Sequence, residues 1–133
     1  MTSFNLQIIT PEKVFFDAQV QEVLLRSSEG ELGIMARHES FAAILPPGKV
    51  RIKVDGELKT AAISYGTVKV SKEKTVIIAT SIEWADEINV ERAEIAKAAA
   101  NEMLESELSS FDREQTEFSL KRAMNRIAVS GEK

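Results

Sequence analysis

The sequence predicts an α+β protein, with an N-terminal β-sandwich of about ten strands over residues 1–84 and a C-terminal antiparallel two-helix hairpin over residues 85–133. Three observations predict it. Apolar residues alternate at period two in the first part and recur at three-to-four spacing in the second. All three prolines and five of the six glycines lie before position 70. From Val90 to Ala128 neither residue occurs, and Ala, Glu, Leu, Lys and Arg, the strong helix formers, dominate.

Phe4, Leu6 and Ile8 alternate with Asn5 and Gln7, as in a half-buried strand. The apolar runs Val23–Leu25 and Val76–Ala79 read as strands covered on both faces. Val50, Ile52 and Val54 alternate with Arg51 and Lys53, and Val68 and Val70 with Thr67 and Lys69. Asp55-Gly56 between two such runs is a hairpin turn, because the central residues of that turn need left-handed backbone. Pro11, Glu29-Gly30, Pro46-Pro47-Gly48 and Ser71 separate the remaining runs. Short strands at roughly eight- to twelve-residue spacing point to a sandwich or barrel.

Asn89 is a suitable N-cap for the first helix, whose stripe is Ala93, Ala96, Ala100, Met103 and Leu104. Ser109-Ser110-Phe111-Asp112 interrupts the pattern, and Asp112 with Gln115 has the form of a capping box. The second helix places Thr116, Leu120, Ala123 and Ile127 on one face. An alanine-rich seam buries little apolar area, and at ~25 cal/mol per Å² it contributes less than a leucine seam. Such a hairpin is marginal alone and needs docking on the β-domain, a ligand or another subunit. Trp84, the single tryptophan, sits at the junction, where it reads as a hydrophobic anchor and as a fluorescence reporter of hairpin motion.

The chain has 133 residues, the length of one domain with an appendage, and a net charge of −4, which argues against a nucleic-acid partner. The charge is uneven: residues 86–117 carry ten acids and three bases, and residues 118–133 carry four bases and one acid. No apolar stretch approaches the roughly 18 residues of a membrane span, and the N-terminus lacks a leader pattern. The expectation is a cytosolic protein that can sit against a membrane complex.

The catalytic inventory is thin. There is no cysteine, so disulfides, thiolate metal sites and a Cys nucleophile are excluded. His38 is the single histidine and has no nucleophile or carboxylate at telling spacing, which favours a surface or interface position. Gly30-Glu31-Leu32-Gly33 is too short for a phosphate cradle and reads as turn glycines flanking a strand. Arg122 and Arg126 stand four residues apart and, with Lys121, form a basic face. That face either pairs with acids of the first helix or binds phosphate or carboxylate through the guanidinium forks. Arg92 lies in the first helical turn, where a base makes more sense with an anion nearby.

The runs Ser28-Glu29-Gly30-Glu31-Leu32-Gly33-Ile34, Arg37-His38-Glu39 and Pro47-Gly48-Lys49-Val50-Arg51-Ile52 resemble the epsilon subunit of F-type ATP synthases. Thr10-Pro11, Ser64-Tyr65-Gly66 and Val76-Ile77-Ile78-Ala79 continue the resemblance in order. Leu120-Lys121-Arg122-Ala123-Met124-Asn125-Arg126 is similar to the Bacillus-type form. The resemblance implies a non-catalytic rotor subunit of the central stalk, peripheral on the cytoplasmic face of the cell membrane, with no direct membrane insertion. Its sandwich is expected to bind the gamma subunit and rest on the c-ring, with Glu31 and His38 matching positions near those contacts. Its hairpin is expected to fold on the sandwich or extend along gamma. Extended, Lys121, Arg122 and Arg126 would meet acidic segments of the catalytic alpha/beta subunits and block hydrolysis.

Some Bacillus-type members bind ATP, and the resemblance carries that site to Glu83, Ile88, Arg92, Ala93, Arg122 and Arg126. The family's Asp is Asn89 here, and an expected arginine is Ala99. One lost charge-assisted hydrogen bond costs on the order of 1.5–3 kcal/mol, so the expectation is weak or absent ATP binding and no required cofactor. Two further departures fall in loops: Met35-Ala36-Arg37-His38 where the family often has Leu-Pro-Gly-His, and Tyr65-Gly66 where paired glycines are usual. The alternatives are an assembly subunit whose hairpin senses ATP with little inhibition, and a stand-alone nucleotide-binding module.

Overall fold

The computed structural model describes residues 2–36 and 39–132. Eight strands come first: β1 (Phe4–Ile9), β2 (Val14–Val20), β3 (Glu22–Ser27), β4 (Gly30–Met35), β5 (Phe41–Leu45), β6 (Gly48–Val54), β7 (Glu57–Val70) and β8 (Thr75–Trp84). A single 3₁₀ turn, Ala85–Glu87, leads to α1 (Val90–Leu104) and α2 (Ser110–Ser130). The strands pair in the order β2-β1-β8-β7-β6-β3-β4, with β5 on the second half of β7.

Eight strands build what the sequence predicts as about ten, because β7 and β8 each serve two layers. Residues Glu57–Ile63 of β7 pair with β6, and Gly66–Val70 pair with β5. β8 follows β7 through the bend and pairs with β1 through Thr75–Ile78. The bend falls at the register shifts around Tyr65. Gly66 is required there: a Cβ would run into the Ile78 carbonyl oxygen and crowd the Ala79 backbone.

One hydrophobic core fills the space between the layers. Leu6, Ile8, Val23, Ile34, Val50, Ile52, Val68 and Ile77 are fully buried in it, and all but Ile34 come from the alternating or continuous runs of the sequence. Val54 and Glu57 close the β6–β7 hairpin, with Asp55 at φ 51° and Gly56 at φ 83°. One apolar run differs from expectation. Ile78 points outward and is 57% exposed, while Ile77 and Ala79 are buried, so this strand is covered on one face.

α1 packs chiefly on α2, and α2 packs on β6, β7 and the 3₁₀ turn. The seam between the helices holds Ala93, Ala100, Thr116 and Ala123, all buried. Ala96 and Met103 lie on the exposed side, because the buried stripe follows the 93–100 spacing and turns away from them. Asn89 caps α1 by accepting from the Arg92 N–H at 3.0 Å. The cap of α2 is Ser109, which accepts from the Asp112 N–H at 3.1 Å; the helix begins one turn before the expected Asp112–Gln115 box.

Candidate functional site

The outer face of one layer carries the docked hairpin. Across β4, β3, β6, β7 and β8 the registers bring Glu31 beside Arg26, and Lys49, Ala62 and Glu83 into one outward row. α2 lies along that row and is fastened at four places. Arg126 grips Glu83 with Nε–Oε1 at 2.6 Å and Nη2–Oε2 at 3.0 Å. The Asn125 side-chain amide donates to the Gly48 carbonyl at 2.8 Å and the Ile63 carbonyl at 3.4 Å. Glu132, just past the helix, receives Lys49 Nζ at 2.5 Å and Arg51 Nη2 at 2.8 Å. Tyr65 meets Phe118 edge to face at 6.2 Å, and the Arg122 guanidinium lies 5.1 Å from the same ring. The hydrogen bond from Lys49 leads in holding the Glu132 carboxyl below its ordinary pKa, against the opposing effect of burial, and Arg51 adds to it.

Apolar contact at this boundary is limited. Ala62, Ala85, Ile88 and Val129 form a small buried cluster separate from the sandwich core. The docked hairpin therefore rests on a few polar fastenings and little hydrophobic area.

Several of the residues predicted for nucleotide binding have structural duties in the docked hairpin. Ile88 is 6% exposed inside the small cluster, and Ala93 is fully buried in the helix seam. Asn89 is occupied as the cap of α1. Arg126 pairs with Glu83 on β8, not with acids of α1. Arg92 and Arg122 are exposed, and Arg122 donates to Ser119 Oγ at 3.1 Å. Lys121 is exposed and borders a groove that Glu31 also borders; Glu31 lies on the outer face of β4. His38 lies outside the described residues. Among those described, no group of three or more His, Asp or Glu side chains could hold a metal ion, and no helix is long and apolar enough to cross a membrane.

The outer face of the other layer shows a feature that sequence reasoning missed. Register places Ile44, Thr67, Ile78, Ile9 and Val14 side by side across β5, β7, β8, β1 and β2. Ile44 is 47%, Ile78 57% and Val14 55% exposed. The signal in the sequence is a β-branched residue at each outward position, but only the strand pairing reveals that they form a row.

Comparisons with known proteins agree on one family. Residues 3–85 match the family model described as ATP synthase, Delta/Epsilon chain, beta-sandwich domain, and residues 86–131 match its long alpha-helix domain. The ATP synthase epsilon chain of Ruminococcus albus is 42% identical, covering 100% of both chains. That of Bacillus pumilus is 39% identical, covering 98% of this chain and 99% of the relative. A chain in the cryo-EM structure of Euglena gracilis mitochondrial ATP synthase superposes with a TM-score of 0.84 at 22% identity, over 96% of this chain and 81% of that one. A chain of the Tetrahymena thermophila mitochondrial ATP synthase central stalk and c-ring gives 0.67 at 14% identity, over 98% and 96%. At those identities the structural likeness speaks for the fold, and the sequence matches decide the family: the chain belongs to the delta/epsilon chain family of ATP synthases, as a bacterial epsilon subunit.

Proposed function

We propose that this chain is a non-catalytic central-stalk subunit that couples gamma to the c-ring and restrains ATP hydrolysis through its mobile hairpin. The observation that carries the reading is the way the hairpin is docked. Its fastenings are mostly polar and solvent-accessible, with a small apolar cluster, so the docked and released states differ by a modest free energy. In the docked state Arg126 is neutralised by Glu83, while Lys121 and Arg122 stay exposed. Release would add Arg126 to that basic face, and charge pairs across an interface set register and specificity. The apolar row Ile44–Ile78–Val14 lies on the layer that the hairpin does not cover and supports a constant contact with a partner subunit, gamma in this reading. Glu31 and His38 would serve the stalk and ring contacts, with the protein peripheral on the cytoplasmic face of the cell membrane.

The test compares ATP hydrolysis by the soluble catalytic complex carrying the full chain with that of a complex whose chain ends before Asp86. Faster hydrolysis after truncation is the expected result, and neutralising Arg122 and Arg126 should reproduce part of it. Unchanged hydrolysis would remove the inhibitory role and leave coupling to the sandwich.

A further inference from the structure

Along α2 the residues that meet the sheet recur at heptad-like spacing: Phe118, Asn125, Val129 and, just past the helix, Glu132. Asn125 is the uncharged polar member. It lies one turn before Val129, which is fully buried in the apolar cluster with Ala62, Ala85 and Ile88. The Asn125 amide donates to the carbonyls of Gly48 and Ile63, which form the last pair of the β6–β7 ladder. Beyond that pair β7 leaves β6 for β5, and the two residues before Gly48 are prolines, which bring no backbone N–H to the fork. We infer that Asn125 sets the register in which the hairpin docks and excludes a placement one helical turn away.

The ion pair with Glu83 cannot set that register by itself. Arg122 stands four residues before Arg126, on the same side of α2, and is exposed. A hairpin shifted by one turn, about 6 Å at 1.5 Å per residue, puts Arg122 opposite Glu83 in place of Arg126. Lys121 then stands where Asn125 does, with an ammonium able to donate to the same carbonyls. Glu132 draws away from Lys49 and Arg51, but those side chains are 38% and 39% exposed, and pairs that water reaches contribute little. The costly exchange is the fourth: Asn125 moves into the place of Val129 and carries an amide into the apolar cluster. A buried amide without partners is expensive, which is how a single polar residue in an apolar seam fixes register. A hairpin that leaves the sandwich and returns, as the proposed function requires, thereby finds one seat.

The experiment measures hydrogen exchange of α2 in the isolated full chain, with the sandwich amides as the internal check that each variant is folded. In the natural background Arg126→Ala should speed that exchange roughly tenfold, and Arg122→Ala should leave it nearly unchanged. Asn125→Leu, similar in volume and a better helix former, frees the shifted register. In that background Arg126→Ala should speed exchange by less than about twofold, because Arg122 takes over Glu83, and adding Arg122→Ala should bring back the roughly tenfold loss. Asn125→Gln keeps an amide and should keep the natural response to Arg126→Ala. An equal response to Arg126→Ala in the natural and leucine backgrounds, no effect of the added Arg122→Ala, or a glutamine variant that behaves as the leucine one would each overturn the assignment. So would an Asn125→Leu chain whose exchange is already as fast as that of Arg126→Ala, since Asn125 would then be a fastening only. Hydrolysis by the catalytic complex is measured separately, so the register and the inhibitory role can fail independently.

Discussion

Arg126 and Glu83, 43 residues apart in the chain, hold each other at two points across the boundary between hairpin and sandwich. Both side chains are 31% exposed, so the pair is partly shielded from solvent. A two-point guanidinium–carboxylate contact of this kind contributes about 1–2 kcal/mol, between an exposed pair and a buried one. Arg126→Ala should therefore speed hydrogen exchange of α2 by roughly tenfold while sandwich amides keep their protection. Arg126→Lys should recover part of the protection, because an ammonium cannot donate two parallel bonds. Unaltered exchange in α2 would mean the hairpin is held elsewhere.

Glu132 gives the docking a pH dependence of known sign. Its native pKa is lowered, first by the hydrogen bond from Lys49 and then by Arg51, with burial opposing. A depressed carboxylate contributes fully above its unfolded value and loses the contribution as pH falls through the native one. Exchange protection at the end of α2 should be constant from neutral pH to about 5 and decline below the ordinary carboxylate value of roughly 4.3. Glu132→Gln should lower the protection at neutral pH and flatten the acid decline. A decline of the same size in the glutamine variant would assign the effect to other carboxylates.

Gly66→Ala should destabilise the sandwich by about 1–3 kcal/mol, the usual cost of forcing a methyl group into a filled site. The clash is with strand backbone, not with a flexible side chain, so the neighbour cannot step aside. Urea denaturation followed by circular dichroism measures it. An unchanged midpoint would show that the bend relaxes to admit the methyl group.

ATP binding should be weak or absent in the natural chain, since Asn89 serves as a neutral cap and Ala99 replaces the arginine that the family resemblance expects. The double variant Asn89→Asp, Ala99→Arg should bind ATP about tenfold to a hundredfold more tightly, as one restored charge-assisted contact of ~1.5–3 kcal/mol implies. Calorimetric titration of both chains decides it. Equal affinities would show that the two positions do not face the nucleotide.

Local signals in the sequence carried the local structure. Period-two alternation located the strands, Asp55-Gly56 the turn and Asn89 the first helix cap, because each depends on neighbouring residues alone. Features that depend on pairing were not legible. The outward exposure of Ile78, the shared role of β7 and β8, and the burial of Ala93 and Ala100 without Ala96 follow from what each element packs against. Trp84 shows the same limit. Its ring stacks on Phe15 at 4.7 Å, with Phe16 at its edge and Lys59 Nζ 4.5 Å from its centre, all of them sandwich residues. It anchors the junction as expected, yet its surroundings belong to the sandwich, which makes it a poor reporter of hairpin motion. The contacts of Arg126 and Glu132 with residues 43 and 81 positions away are long-range, and no local spacing encodes them.

β8 runs without a break from Thr75 to Trp84 and belongs to both layers. Its early part presents Ile78 on one outer face, and its late part presents Glu83 to the hairpin on the other. Only four residues, Ala79 to Ile82, separate the two positions, with no loop between them. The bend of the strand pair at the register shifts opposite Tyr65 falls between them, and it turns one strand from the apolar row to the Arg126 anchor.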